Sequence, residues 1–140
     1  MKVLITGFGS FGSVTSNPSE LLVQELQKIN FSAFKLYSEV LPVDYQFCRS
    51  WISSQKENYD LVIHLGISPK ATLTQLESIA KNTCSNVPDI TGFVHESKID
   101  VLGPNEIQTS LDLMLAVDNA CFSCELSEDA GSYLCNFIFS

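Results

Sequence analysis

Basic residues are scarce in this 140-residue chain, where eight Lys plus Arg stand against sixteen Asp plus Glu for a net charge of -8. A surface of that sign repels phosphate backbones and anionic lipid headgroups, so neither nucleic acid nor a membrane surface is an expected partner. Long apolar runs are missing too. The opening Met1-Lys2-Val3-Leu4-Ile5-Thr6-Gly7 has three consecutive aliphatic residues, too few for a signal-peptide core, and no later stretch reaches membrane-spanning length. The expectation is a soluble, unexported, cytosolic protein. Cysteine is limited to five residues, an odd number without a secretory signal, which argues against a complete disulfide framework and for reduced thiols. Cys121 and Cys124 form a C-x-x-C, but a tetrahedral zinc site needs a second pair or nearby histidines, and neither is visible. They read as two strand cysteines packed as small apolar groups. Internal repeats and low-complexity tracts are absent.

What is present is enough apolar material, 45% of residues with a mean hydropathy of +0.15, for one core, so residues 1–140 are expected to form a single domain. Lys2 to Thr6 reads as a buried first strand. A glycine-rich loop follows to Asn17-Pro18, an N-cap and a first-position proline that predict a helix from Pro18 to about Lys28, with Leu21, Leu22, Glu25, Leu26 and Ile29 on its sheet-facing stripe. Phe34 to Val43 reads as a second strand. Asp44 then caps a helix with Phe47, Cys48, Trp51 and Ile52 on one face. Asp60 to Gly66 is the clearest buried strand, and Thr72 to Ala80 alternates as another. Cys84 to Gly103 is a long polar loop. Asn105 and Gln108 resemble a capping box that opens a helix running to about Val117, with Ile107, Leu111, Met114 and Leu115 on its apolar face. Ala120 to Leu126 reads as a strand, and a last helix starts near Ser132. Helices interleaved with aliphatic strands over the whole length predict a three-layer α/β/α fold with a mostly parallel central sheet, whose functional groups collect on loops leaving strand C-termini.

The first such loop has two functional readings. Gly7-x-Gly9-x-x-Gly12 formally matches a dinucleotide-binding fingerprint, with Glu39 as the ribose acid. Against it, Ser13 to Asn17 separate the glycines from the helix start, and Phe8 and Phe11 fill the spacer positions. In the second reading those two rings wall a pocket for a small, flat, uncharged group. Towards the other end, Gly131-Ser132-Tyr133-Leu134-Cys135-Asn136 puts a cysteine in the first turn of a helix, where amides and the helix dipole favour the nucleophilic thiolate.

Lys2-Val3-Leu4-Ile5-Thr6-Gly7-Phe8-Gly9-Ser10-Phe11-Gly12 with Asn17-Pro18 resembles the opening signature of the pyroglutamyl peptidase I family, which usually has proline where Ser10 stands and often glycine where Ser13 stands. Asp129-Ala130-Gly131-Ser132-Tyr133-Leu134-Cys135-Asn136 is similar to that family's nucleophile segment. Val40-Leu41-Pro42-Val43 with Tyr45, Val62-Ile63-His64-Leu65-Gly66, and Leu76-Glu77-Ser78-Ile79-Ala80-Lys81-Asn82 resemble three further blocks in the same order. The resemblance implies a cysteine omega-peptidase that removes N-terminal pyroglutamate from peptides, without metal or cofactor. Cys135 matches the nucleophile and Glu77 the triad's acid. Phe8 and Phe11 match the residues that grip the lactam ring, and backbone groups near Ile67 match those that pair with its amide.

One part of the pattern has no counterpart here. The family's histidine follows the cysteine helix, whereas this sequence ends five residues after Cys135. Its two histidines read as a structural strand-end residue, His64, and a solvent-exposed loop residue, His95. The expectation is a domain lacking its C-terminal part, with a short last helix that ends on exposed Phe137, Ile138 and Phe139. Little peptidase activity is expected from these residues alone, since loss of a general base costs about 10²–10⁴-fold. A noncatalytic remnant and a nucleotide-binding module remain as alternatives.

Overall fold

The structure is a computed structural model that describes residues 1–140. Two compact units are present, one formed by Met1–Ile67 with Val87–Val94, the other by Ser68–Asn86 with His95–Ser140.

The first unit is built on three parallel strands, β1 (Lys2–Phe8), β2 (Lys35–Leu41) and β3 (Leu61–His64), in the order β2-β1-β3. Central β1 buries Val3, Leu4, Thr6 and Phe8. Helix α1 (Pro18–Leu26) starts where expected: Asn17 Oδ1 accepts the Ser19 amide at 3.0 Å and Pro18 takes the first turn. Its buried face differs from the predicted stripe. Ser19 and Val23 are buried, whereas Leu21, Leu22 and Ile29 are exposed. Gly7 explains the rotation, because a Cβ there would lie 2.5 Å from Ser19 O; the helix backbone rests on a bare strand position, so Ser19 and, one turn later, Val23 face inward.

Helix α2 (Tyr45–Ser54) is capped by Asp44, whose Oδ1 accepts the Phe47 amide at 2.9 Å. Tyr45, Cys48 and Trp51 are its buried residues, while Phe47 and Ile52 are exposed, again a rotation from the expected face. Buried Asp89 fixes the 87–94 segment to this helix. Its carboxylate accepts the amides of Tyr45, Thr91 and Phe93 and the Thr91 hydroxyl, at 2.7–3.1 Å. Burial alone would raise its pKa, but these four donors outweigh it and hold the carboxyl below its ordinary value.

Strand β3, predicted as the clearest buried strand, is not buried: Val62 is 42% and Ile63 37% exposed. The reason is positional, since β3 is an edge strand paired only with β1.

In the second unit, β4 (Thr74–Glu77) pairs in parallel with β7 (Cys124–Ser127), and β5 (Ile79–Lys81) pairs antiparallel with β6 (Glu106–Gln108). The expected strand over 72–80 is thus two strands. Ser78 is the switch, donating its amide to Ser127 O at 2.8 Å and accepting the Thr109 amide at 2.9 Å. Asn105 opens no helix, because Glu106–Gln108 is taken up as the partner of β5. Helix α3 (Leu113–Asp118) begins instead at Asp112, whose Oδ1 accepts the Leu115 amide, and it buries no residue. Cys121 is exposed ahead of β7 and Cys124 is half-buried at its first position, so only one of the pair is a strand cysteine. Helix α4 (Leu134–Phe139) packs on β5. Phe137 and Ile138, expected to be exposed, are 3% and 6% exposed and belong to this unit's core with Ala80, Cys84 and Leu134.

Three of the four strand pairings are parallel, in keeping with the expected α/β class. The ladders are divided among three sheets. No helix is long and apolar enough to cross a membrane.

Candidate functional site

Glu77 ends β4, opposite Ser127 of β7. Its Oε2 is buried and has no hydrogen-bond partner, an arrangement that costs about 1–3 kcal/mol unless a donor arrives. Cys135 lies in the same unit, half-buried, as the second residue of α4. The approach to it runs through Gly131, whose φ of +76° is open to glycine and strained for other residues. Asp129 Oδ1 accepts the Gly131 amide at 3.3 Å. Lys81 Nζ also lies 3.3 Å from Asp129, but both side chains are well exposed, so this pair contributes little.

The residue that fixes the position of Cys135 is one that sequence patterns did not single out. Asn136, with 0% exposure, accepts the Lys81 amide at 2.7 Å and donates to Lys81 O at 2.6 Å and Thr83 O at 2.9 Å. It acts as a strand would, satisfying both backbone groups of Lys81, and it locks the first turn of α4 to the segment that follows Glu77. The available signal was an amide side chain next to the helical cysteine, between apolar Leu134 and Phe137.

Phe8, Phe11 and Ile67 belong to the first unit. Phe8 ends β1 and is 3% exposed. Half-buried Phe11 closes a tight turn by exchanging backbone hydrogen bonds with Val14 at 3.1 and 2.8 Å, around Gly12 at φ +52°. Ile67 follows β3, and neither its amide nor its carbonyl enters a backbone hydrogen bond. The glycine-rich loop is ill-suited to phosphate. Ser19 Oγ takes the Phe8 amide, Leu41 O the Gly9 amide, Val14 O the Phe11 amide and Asn17 Oδ1 the Ser19 amide. Glu39, the ribose acid of the nucleotide reading, accepts Trp51 Nε1 at 2.7 Å. These four amides, and the acid of the nucleotide reading, are thus engaged within the unit.

His64 is the strand-end histidine expected: it closes β3 and its Nδ1 lies 2.7 Å from Thr6 Oγ1. Burial lowers its pKa to about 4, so the ring is neutral at neutral pH. Because the unfolded ring titrates near ~6.5, the unfolded chain binds a proton that the folded chain refuses between roughly pH 6.5 and pH 4. Stability therefore falls through that window as the pH drops, by a total of about 3 kcal/mol. His64→Asn is expected to flatten this part of the profile, read as urea midpoints at successive pH values. His95, expected to be exposed, is half-buried instead, its ring 5.3 Å from Phe137 in an edge-to-face contact. No group of three or more His, Cys, Asp or Glu is placed to hold a metal ion.

A cysteine at a helix start and a buried carboxylate oxygen awaiting a donor, in one unit, suit thiol-based acyl transfer. Comparison with known proteins points the same way. The family described as Pyroglutamyl peptidase matches residues 1–140. Pyroglutamyl-peptidase 1 of Homo sapiens is 34% identical over 150 residues, which cover 98% of this chain and 70% of the human protein. The pyrrolidone-carboxylate peptidase of Pyrococcus furiosus is 30% identical over 145 residues, 99% of this chain and 70% of that protein. Among solved structures, the pyrrolidone carboxyl peptidase of Fervidobacterium islandicum AW-1 superposes with a TM-score of 0.92 at 31% identity, again over 99% of this chain and 70% of the other. With sequence agreement over its full length and this backbone match, the chain belongs to the pyroglutamyl peptidase family.

Proposed function

We propose that residues 1–140 act as one cysteine-peptidase domain that removes N-terminal pyroglutamate from peptides. Cys135 is the nucleophile: its thiolate forms a C–S bond to the carbonyl carbon of pyroglutamate, the C–N bond to the next residue breaks, and the departing amine takes a proton from water. Water then hydrolyses the thioester. Glu77 matches the acid of the family's triad, and neither His64 nor His95 is assigned as the base beside it. Phe8 and Phe11 hold the lactam ring and the backbone at Ile67 pairs with its amide. A pocket of that kind disfavours a charged amino terminus, which would have to shed its water. Five cysteines without a disulfide fit a reducing compartment such as the cytosol.

The observation that carries this reading is the buried, partnerless Oε2 of Glu77 in the unit that also holds Cys135. A test that reads covalent attack rather than turnover is alkylation by pyroglutamyl chloromethyl ketone, mapped by peptide mass. The label is expected on Cys135, to be slowed by a pyroglutamyl peptide, and to be lost in Cys135→Ala. Labelling spread over Cys48, Cys84, Cys121 and Cys124, or unaffected by the competing peptide, would refute it.

A further inference from the structure

Thr83 to Ser85 runs beside Ser132 to Asn136. Asn136 Nδ2 donates to Thr83 O at 2.9 Å, and the Ser85 amide donates to Ser132 O at 2.6 Å. These two contacts bracket Cys135 in sequence, three residues after one and one residue before the other. The segment is held from another direction as well, since buried Cys84 donates its amide to Ser97 O at 2.9 Å. Ser85 is therefore a fixed neighbour of the turn that delivers the nucleophile.

Its hydroxyl is an anomaly. Ser85 Oγ is buried and has no hydrogen-bond partner, and within this unit only Glu77 Oε2 shares that condition. Buried polar atoms are nearly always satisfied, so two orphans eight residues apart, on the stretch anchored to the nucleophile helix by Asn136, call for a common explanation. Their chemistries are complementary: a carboxylate oxygen only accepts, whereas a hydroxyl can donate without introducing charge.

We infer that Ser85 Oγ donates a hydrogen bond to the carbonyl oxygen of the bond under attack at Cys135, strengthening as that oxygen becomes an oxyanion. The inference rests on the proposed role of Cys135 and adds a substrate-touching residue to it. A neutral donor held in a buried place, with no acceptor to give up, favours the tetrahedral state over the planar carbonyl.

The test uses pyroglutamyl aldehyde, to which the Cys135 thiolate adds. A C–S bond forms, the carbonyl π electrons move to oxygen, and the alkoxide takes a proton from water. Affinity is read by calorimetry and the adduct by mass. Ser85→Ala is expected to weaken aldehyde binding about 10- to 100-fold, and Ser85→Thr to retain it. The rate of Cys135 alkylation by iodoacetamide, which builds no oxyanion, should not change. If the alanine variant does not fold, near-isosteric Ser85→Cys carries the same expectation, thiols being poor donors. Aldehyde affinity unchanged in the alanine variant, or alkylation slowed in step with it, overturns the inference while leaving Cys135 as nucleophile. Failure of the unaltered protein to form any adduct at Cys135 overturns the proposed function itself.

Discussion

Asn136→Ala is expected to destabilise the second unit by about 4 kcal/mol, roughly a thousandfold in its folded-to-unfolded ratio. The truncation removes three hydrogen bonds, two from the side-chain amide and one to its oxygen; it strands the amide of Lys81 and the carbonyl of Thr83 and leaves the Lys81 carbonyl with the Thr83 amide alone, at 2.7 Å. It also leaves a hole in a fully buried position. Asn136→Asp separates the two effects. It keeps the shape and the acceptor for the Lys81 amide, but faces two carbonyls with an acid, so its deficit should shrink as the pH falls and the carboxyl becomes a donor. Amide exchange at Lys81 and Phe137, with urea midpoints by circular dichroism, measures both. Alanine losing less than about 1 kcal/mol would mean that the bridge is ornamental.

Gly7→Ala is the second large effect, expected to cost about 3 kcal/mol. The added methyl would stand 2.5 Å from the oxygen and 2.8 Å from the carbon of Ser19's carbonyl, and backbone cannot swing aside as a side chain can. Helix α1 must retreat, weakening the bond from the Phe8 amide to Ser19 Oγ and the contact of Val23 with the sheet. Gly9→Ala is the control. Its methyl would meet nothing nearer than Leu41 O at 3.8 Å, an ordinary contact, and should change the urea midpoint little. The pair also bears on the glycine signature. A nucleotide fingerprint would make Gly9 the sensitive position for ligand approach, whereas here the sensitive glycine is the one beneath the helix.

Local chemistry was legible wherever a single side chain acts on its own backbone. Asn17 and Asp44 announced α1 and α2 because a cap needs no tertiary partner. The buried faces of those helices were not legible: leucine spacing suggested Leu21 and Leu22, yet a missing Cβ at Gly7 turned Ser19 inward. Asn105 failed for a related reason. Its capping pattern was sound, but Glu106–Gln108 found a strand partner in Ile79–Lys81, and a non-local ladder prevailed over a local cap. Cys135 in a first helical turn was readable from the glycine turn before it, and Phe8 and Phe11 were readable as a candidate pocket wall from their places in the loop, whereas Ile67 and Glu77 were suggested only by family resemblance. Asn136 and Ser85 escaped because their importance lies in which distant backbone groups they meet or fail to meet.

The chain passes from one unit to the other at residues 67–68, returns at 86–87, and leaves again at 94–95. Asp89, which secures the Tyr45 amide, is thus synthesised 44 residues after Tyr45, the first residue of the helix it steadies. On the ribosome α2 emerges before that carboxylate, held meanwhile by its Asp44 cap and by the hydrogen bond from Trp51 to Glu39. Neither unit can be liberated as one continuous fragment by a single protease cut: a piece ending at Ile67 would lack its clasp, and a piece starting at Ser68 would carry that clasp away.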